Sequence, residues 1–247
     1  MKKILSVSNS YGEDSTRYLY NVARFEGEDL KVVTLYIGGC SLERHYKNMI
    51  SDAKEYLLCL NGMRSGFYVS IKEALLSDEW DFVVLQQASP CSADEESYYP
   101  YLNELSAYVL DLAPNAKQLI NMTWSYPEGS TWFMKTGRYQ KRSEMIPNIK
   151  KCYERAASEI NAHGIIPALD AMNKLYDAIG EEAYRDAGHA SYGVGRYMLA
   201  CVWYMCLFGK NIIKNYGDFD IEVSDDQAIL ARRLAREAVE EYGYRLI

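Results

Sequence analysis

The chain has 247 residues, enough for one large domain or two small ones and for a substantial buried core. Hydrophobic residues at 49% and charged residues at 25% are ordinary for a globular protein and exclude collagen-like, low-complexity and disordered chains. A formal net charge of -7 argues against a general affinity for nucleic-acid phosphates or anionic lipid, so neither nucleic acid nor membrane is an expected partner.

Met1-Lys2-Lys3 has the look of a signal-peptide start, but the apolar run 4–7 is broken at once by Ser8-Asn9-Ser10. That run reads instead as a first strand. Asp14 is placed to cap a helix through about Phe25. Residues 30–37 (LKVVTLYI) are β-branched and predict a second strand, and 43–52 predict a helix. Across 56–70, YLLCL and FYVSI flank Asn61-Gly62, a hairpin signal, and a short helix follows at 71–77. Residues 82–86 (FVVLQ) lack polar alternation, as expected of a strand buried on both faces.

Residues 96–112 predict a helix that stops before Pro114, and 118–123 a further strand. Residues 124–140 are loop-like in composition, with Pro127, Gly129 and Gly137. A helix over 143–162 ends at His163-Gly164, and Ile165-Ile166-Pro167 is a short last strand. Helices are expected at about 170–179, 191–207 and 225–242. The longest apolar run, 197–208, has twelve residues, too short to span a bilayer, and reads as a buried helix. The six cysteines form no C-x-x-C pair, which fits reduced thiols in a cytoplasmic protein.

This alternation predicts one α/β domain over residues 1–247: a three-layer α/β/α sandwich with a flavodoxin-like, doubly wound parallel sheet of about five strands, and the 56–70 hairpin as an appendage. Ligands bind such sheets beyond the carboxyl ends of the strands. Ser8-Asn9-Ser10-Tyr11-Gly12 follows strand one, Gly38-Gly39-Cys40-Ser41 strand two and Gln86-Gln87-Ala88-Ser89 strand three. Some of the 22 tyrosines are expected to line a cleft for a polar ligand there, because tyrosine joins an apolar body to a polar tip.

Several chemistries lack their signatures. There is no G-x-S-x-G elbow and no G-x-x-x-x-G-K-[ST] phosphate loop, and Gly193-Val194-Gly195 meets Met198 where a dinucleotide motif needs glycine. His45, His163 and His189 are too scattered for a zinc site, so no metal or cofactor is implied. Acyl transfer through serine remains. A serine hydroxyl needs a base, His189 is the candidate, and Asp186 three residues earlier can fix its tautomer. Ser10 projects into the same crevice. Singly, each residue has a plainer role as turn former, cap or tight-turn glycine.

Jointly these segments resemble the SGNH (GDSL-type) hydrolase superfamily, in particular its DUF4886-like branch, over about residues 3–210. Ile4-Leu5-Ser6-Val7-Ser8-Asn9-Ser10 resembles the block whose serine is the nucleophile, and Ile37-Gly38-Gly39-Cys40-Ser41-Leu42 the block whose glycine donates a backbone N–H to the oxyanion. Thr123-Trp124-Ser125-Tyr126 resembles a stretch typical of that branch, and Asp186-Ala187-Gly188-His189 the D-x-x-H block of acid and base. The chain departs from the pattern at Ser8, where glycine is usual, and at Gln86-Gln87-Ala88-Ser89, which stands in place of G-x-N-D.

The resemblance implies a serine esterase with Ser10, His189 and Asp186 as triad. Its oxyanion hole would comprise the N–H groups of Ser10 and Gly39 and an amide of Gln86 or Gln87, with Gln87 favoured. The implied partner is a small-molecule ester, with acetylated carbohydrate as the candidate, and Trp124, Tyr126, Trp132 and Tyr139 as a sugar-stacking wall. Two rivals stay open: a non-catalytic flavodoxin-like domain binding sugar or phosphate, and an acyltransferase using the same site. The oligomeric state is not readable from the residues.

Overall fold

The computed structural model describes residues 1–243. Its sheet has seven strands in the order β4-β3-β2-β1-β5-β6-β7. The central strands are β1 (Lys2–Ser8), β2 (Leu30–Tyr36), β5 (Phe82–Leu85), β6 (Lys117–Asn121) and β7 (Gly164–Ile166), all mutually parallel. They are largely buried, β5 at every position, as a parallel sheet covered on both faces requires. The expected hairpin forms as β3 (Tyr56–Leu60) and β4 (Met63–Val69), with Asn61 and Gly62 both at positive φ in the turn. It is no appendage. β3 pairs antiparallel with β2, so the sheet is two strands wider than the expected five.

Helices α1 (Ser10–Thr16) and α2 (Leu19–Glu26) replace the single helix expected after strand one. The cap is Asn9, whose side chain accepts from the Tyr11 N–H, so the helix begins before Asp14, which lies buried within it. Ser41 caps α3 (Leu42–Ser51), and Ser70 with Glu73 forms a capping box on α4 (Ile71–Leu76). A 3-10 turn at Glu95–Tyr98 precedes α5 (Tyr101–Leu112) where one longer helix was expected. The loop after β6 carries its own helix, α6 (Thr131–Thr136), before α7 (Arg142–Glu159). After β7 come α8 (Ala168–Ile179), α9 (Val194–Phe208) and α10 (Asp225–Glu241). The apolar run expected as a buried helix is α9; every residue from Val194 to Leu207 is buried, and α1, α2, α8 and α10 pack against it. No helix among the described residues is long and apolar enough to cross a membrane.

Parallel pairing of β1 with β2 and β5 brings the segments after these strands to one end of the sheet. The segment 183–191 reaches the same end as a narrow loop. It is closed by an antiparallel bridge between Tyr184 and Ala190 and by backbone bonds from Arg185 N to His189 O (3.0 Å) and Ser191 N to Ala183 O (2.8 Å).

Candidate active site

Ser10 is the first residue of α1, directly after the Asn9 cap. Its Oγ lies 2.8 Å from His189 Nε2, although the two are 179 positions apart. His189 Nδ1 lies 2.8 Å from Asp186 Oδ2. A carboxylate only accepts hydrogen bonds, so the imidazole proton sits on Nδ1 and the Nε2 lone pair faces the Ser10 hydroxyl. Asp186 Oδ1 accepts from the N–H groups of Gly188 (2.9 Å) and His189 (2.8 Å), so one carboxyl both folds its own turn and orients the ring. Burial pushes the Asp186 carboxyl up, but those two N–H groups and the His189 ring outweigh it and hold the group below its ordinary value.

The loop bearing the histidine is held from three sides. Tyr11 OH and Trp124 Nε1 both donate to the Gly188 carbonyl at 2.9 Å, and Ser130 Oγ donates to the Ala187 carbonyl at 2.6 Å. Trp124 is fully buried, with its ring stacked on Tyr11 at 4.2 Å. It therefore supports the loop from beneath and is not part of a sugar-stacking wall. Tyr139 does not line the cleft either: its hydroxyl donates to the Ala93 carbonyl (3.2 Å). Trp132 and Tyr126 do line it, Trp132 with its ring edge-on to His189 at 5.1 Å.

Asn9 ties the strand ends together. Its Nδ2 donates to the Cys40 carbonyl (2.9 Å), which fixes the loop after β2, and its Oδ1 accepts from Gln86 Nε2 (2.7 Å). In the β2 loop Gly39 has φ +63, a left-handed conformation that glycine adopts without a Cβ penalty. The N–H groups of Ser10 and Gly39 have no intramolecular partner among the described residues, and both residues line the cleft. Ser8, where glycine is usual, fits because Gly12 faces it: a Cβ on Gly12 would lie 2.3 Å from Ser8 Oγ.

The glutamines do not act as expected. Gln86 Nε2 is bonded to Asn9, and its Oε1 accepts from Asn121 Nδ2 (2.9 Å). Gln87 Nε2 donates to both the carbonyl and the hydroxyl of Ser97, at 3.0 and 3.1 Å, while its Oε1 accepts from the N–H groups of Leu42 and Ala88. Both are buried and neither lines the cleft: Gln86 bridges the side chains of Asn9 and Asn121, Gln87 ties down backbone, and the choice of Gln87 as oxyanion donor is overturned. The cleft above Ser10 has a volume of about 620 Å³ and a wall that includes Tyr36, Ser89, Pro90, Tyr126 and Trp132. That size suits a small-molecule ligand.

Asp14, expected as a helix cap, instead holds a buried ion pair. Asp14 is completely buried, and its carboxylate takes Arg185 Nη1 at 2.8 and 2.9 Å and Arg196 Nε at 2.8 Å. It joins the helix of Ser10 to the residue before Asp186. An acidic residue inside a short helix facing two arginines far along the chain offers no local signal of that pairing.

The model of DUF4886, a domain of unknown function, matches residues 3–238, and the chain belongs to that family. A solved DUF4886 family protein from Bacteroides uniformis is 27% identical, covers 100% of this chain and 97% of its own length, and superposes with a TM-score of 0.88. A proposed SGNH hydrolase from Slackia heliotrinireducens is 21% identical over 82% of this chain and 97% of that one, TM-score 0.58. A proposed GDSL-like lipase from Parabacteroides merdae is 12% identical over 82% and 93%, TM-score 0.53. The last two likenesses are of fold: the α/β architecture is the one found in SGNH hydrolases. No curated protein matches the chain.

Proposed function

We propose that this DUF4886 protein is a serine esterase of the SGNH type that cleaves small acyl esters, with acetyl esters of carbohydrate as the substrate class. The observation that carries this reading is the unbroken relay Ser10 Oγ–His189 Nε2 and His189 Nδ1–Asp186 Oδ2, both at 2.8 Å, at the floor of an open cleft. A domain that only binds sugar or phosphate has no need of such a relay.

In the proposed reaction Ser10 Oγ adds to the ester carbonyl while its proton passes to His189 Nε2. The negative charge that develops on the carbonyl oxygen is met by the N–H groups of Ser10 and Gly39. Collapse expels the alcohol, which takes the proton back from His189 and leaves an acyl group on Ser10. Water then adds, gives its proton to His189, and the acid departs as Ser10 recovers its hydrogen. Asp186 keeps the ring in the required tautomer and stabilises the imidazolium. The half-buried Trp132 ring in the cleft wall supports a ring-shaped alcohol portion such as a sugar. Six free cysteines fit a reducing compartment, and we propose the cytoplasm.

The test is a panel of acyl esters together with a fluorophosphonate probe. The wild type should hydrolyse acetyl esters and label at Ser10, and Ser10→Ala should lose both. Loss of His189 should lower kcat by roughly 10³-fold or more, as removal of a triad member does. Undiminished turnover by Ser10→Ala refutes the mechanism, and product analysis with an added sugar acceptor separates hydrolysis from transfer.

A further inference from the structure

With both glutamine amides committed to buried bonds inside the fold, the oxyanion position lacks the side-chain donor that an asparagine supplies in the resembling pattern. We infer that the Ser89 hydroxyl, oriented by the Tyr126 hydroxyl, is that donor; the inference rests on the esterase reading and deepens it.

Placement is the first support. β5 is the sheet neighbour of β1, and the chain leaves it at the end where Ser10 emerges. Ser89 opens a 3-10 turn, Ser89–Cys91, just past that end, and lines the same cleft as Ser10, Gly39 and His189.

Hydrogen-bond accounting is the second. A serine at the start of a turn ordinarily caps it by accepting from backbone N–H groups. Here the N-cap is Ala88, and no side-chain cap bond forms. The turn is fixed instead by Ser92, whose Oγ donates to the Ser89 carbonyl at 2.8 Å. Among the described residues the Ser89 hydroxyl makes no backbone bond; it lies 3.3 Å from Tyr126 OH and also beside the Tyr11 hydroxyl, which is itself bonded to the Gly188 carbonyl, and Ser89 is only 4% exposed. A buried hydroxyl excused from local duty and facing a cleft is free to serve a ligand.

Direction is the third. Tyr126 is itself fixed. Its carbonyl accepts from Arg142 Nη1 at 2.8 Å, and its ring packs edge-on against Trp132 and Phe133 at 5.3 and 5.2 Å. Burial pushes the Tyr126 phenol up to about 12, so it keeps its proton near neutral pH. Either hydroxyl of the pair can donate; in the proposed arrangement Tyr126 donates to Ser89 Oγ, which leaves the Ser89 proton for the cleft. When Ser10 adds to the carbonyl, the new oxyanion accepts from Ser89 O–H besides the N–H groups of Ser10 and Gly39. When the intermediate collapses, the carbonyl re-forms and that bond slackens, so the donor acts on the transition state more than on bound substrate.

The experiment uses the full chain with Ser89→Ala, Ser89→Thr and Tyr126→Phe. It reads kcat, KM, affinity for a small alkylboronic acid that mimics the tetrahedral state, and melting temperature. Ser89→Ala should lower kcat by about 10²–10³-fold and weaken the boronic acid in parallel, with KM and melting temperature nearly unchanged. Ser89→Thr should recover most of the loss, and Tyr126→Phe should lower kcat by about tenfold. A folded Ser89→Ala variant with wild-type kcat and boronic-acid affinity overturns the inference while leaving the esterase reading intact. A Ser89→Ala loss that tracks melting temperature, or that threonine does not relieve, assigns Ser89 to structure and overturns it too. Should Ser89→Ala not fold, Tyr126→Phe decides: unchanged kcat and boronic-acid affinity reject the pair. Absence of Ser10-dependent turnover in the wild type removes both readings.

Discussion

At the scale of single residues, Asp186 serves two ends with one carboxyl. Oδ1 closes the turn through two N–H bonds, and Oδ2 orients His189. Asp186→Asn keeps an oxygen for the turn but can present an N–H to Nδ1, which stabilises the wrong imidazole tautomer. Its kcat should fall by roughly 10³–10⁴-fold while the melting temperature at neutral pH stays close to wild type, checked by steady-state kinetics and calorimetry. The folded carboxyl is held below its ordinary value, so it remains charged as pH falls into the range where free carboxyls protonate. Gly188 is a second sensitive point. A Cβ there would sit 2.4 Å from Trp132 Cζ3 and 2.9 Å from Tyr11 OH. Gly188→Ala must displace the Trp132 ring or the histidine loop. Its kcat/KM should drop by at least about tenfold, and the tryptophan fluorescence should shift.

At the scale of elements, the distance between Ser10 and His189 is set by how α1 meets the 183–191 loop and α9. Asp14 makes that joint by pairing with Arg185 from the loop and Arg196 from α9. The loop is gripped again where Arg185 Nη1 donates to the Ala190 carbonyl at 2.5 Å. Removing this buried carboxylate takes the shortest counter-charge from both guanidinium groups, leaving, among the described residues, Arg196 only Asp220 at 3.6 Å and Arg185 only Asp186 at 4.0 Å. Asp14→Ala should cost about 3–5 kcal/mol in urea unfolding, the range for breaking a buried ion pair from one side. Because the joint also carries the relay, folded Asp14→Ala should show reduced fluorophosphonate labelling of Ser10. A variant with wild-type unfolding midpoint and labelling would show that the network is dispensable.

At the scale of the whole molecule, a buried histidine behind the β2 loop is one of the groups that tie stability to pH. His45 is buried in α3 beside the sheet, with Nδ1 2.8 Å from Tyr56 OH and 3.5 Å from Cys40 Sγ. Burial first, and the nearby Arg44 charge second, push it down to about 3. In the unfolded chain a histidine takes a proton below about pH 6.5. The folded state binds fewer protons than the unfolded one between these values, so stability falls as pH falls from about 6.5 toward 3. The slope from this group approaches about 1.4 kcal/mol per pH unit. Urea midpoints at pH 7 and pH 4.5 should differ by less in His45→Gln than in wild type. Equal differences would assign the acid sensitivity to other groups.

Much of this molecule was legible in residue order because its signals are local. Hydrophobic runs without alternation marked β1, β5 and the buried α9, and Asn61-Gly62 marked its hairpin, since each follows from the chemistry of a few neighbouring residues. Ser10, Asp186 and His189 could be named because they sit in short motifs at loops after strands or before a helix. Their approach to 2.8 Å is a different matter, since it depends on parallel pairing of distant strands and on Asp14 reaching Arg185 and Arg196 across the chain. The roles of Gln86, Gln87 and Trp124 were misassigned for the same reason. A side-chain amide or indole N–H acts on whatever carbonyl or carboxamide the fold sets before it, and those partners, Asn9, Ser97 and Gly188, lie between 10 and 77 positions away. Chain order thus decided which groups are present, and tertiary packing decided which of them face the cleft and which are consumed in building it.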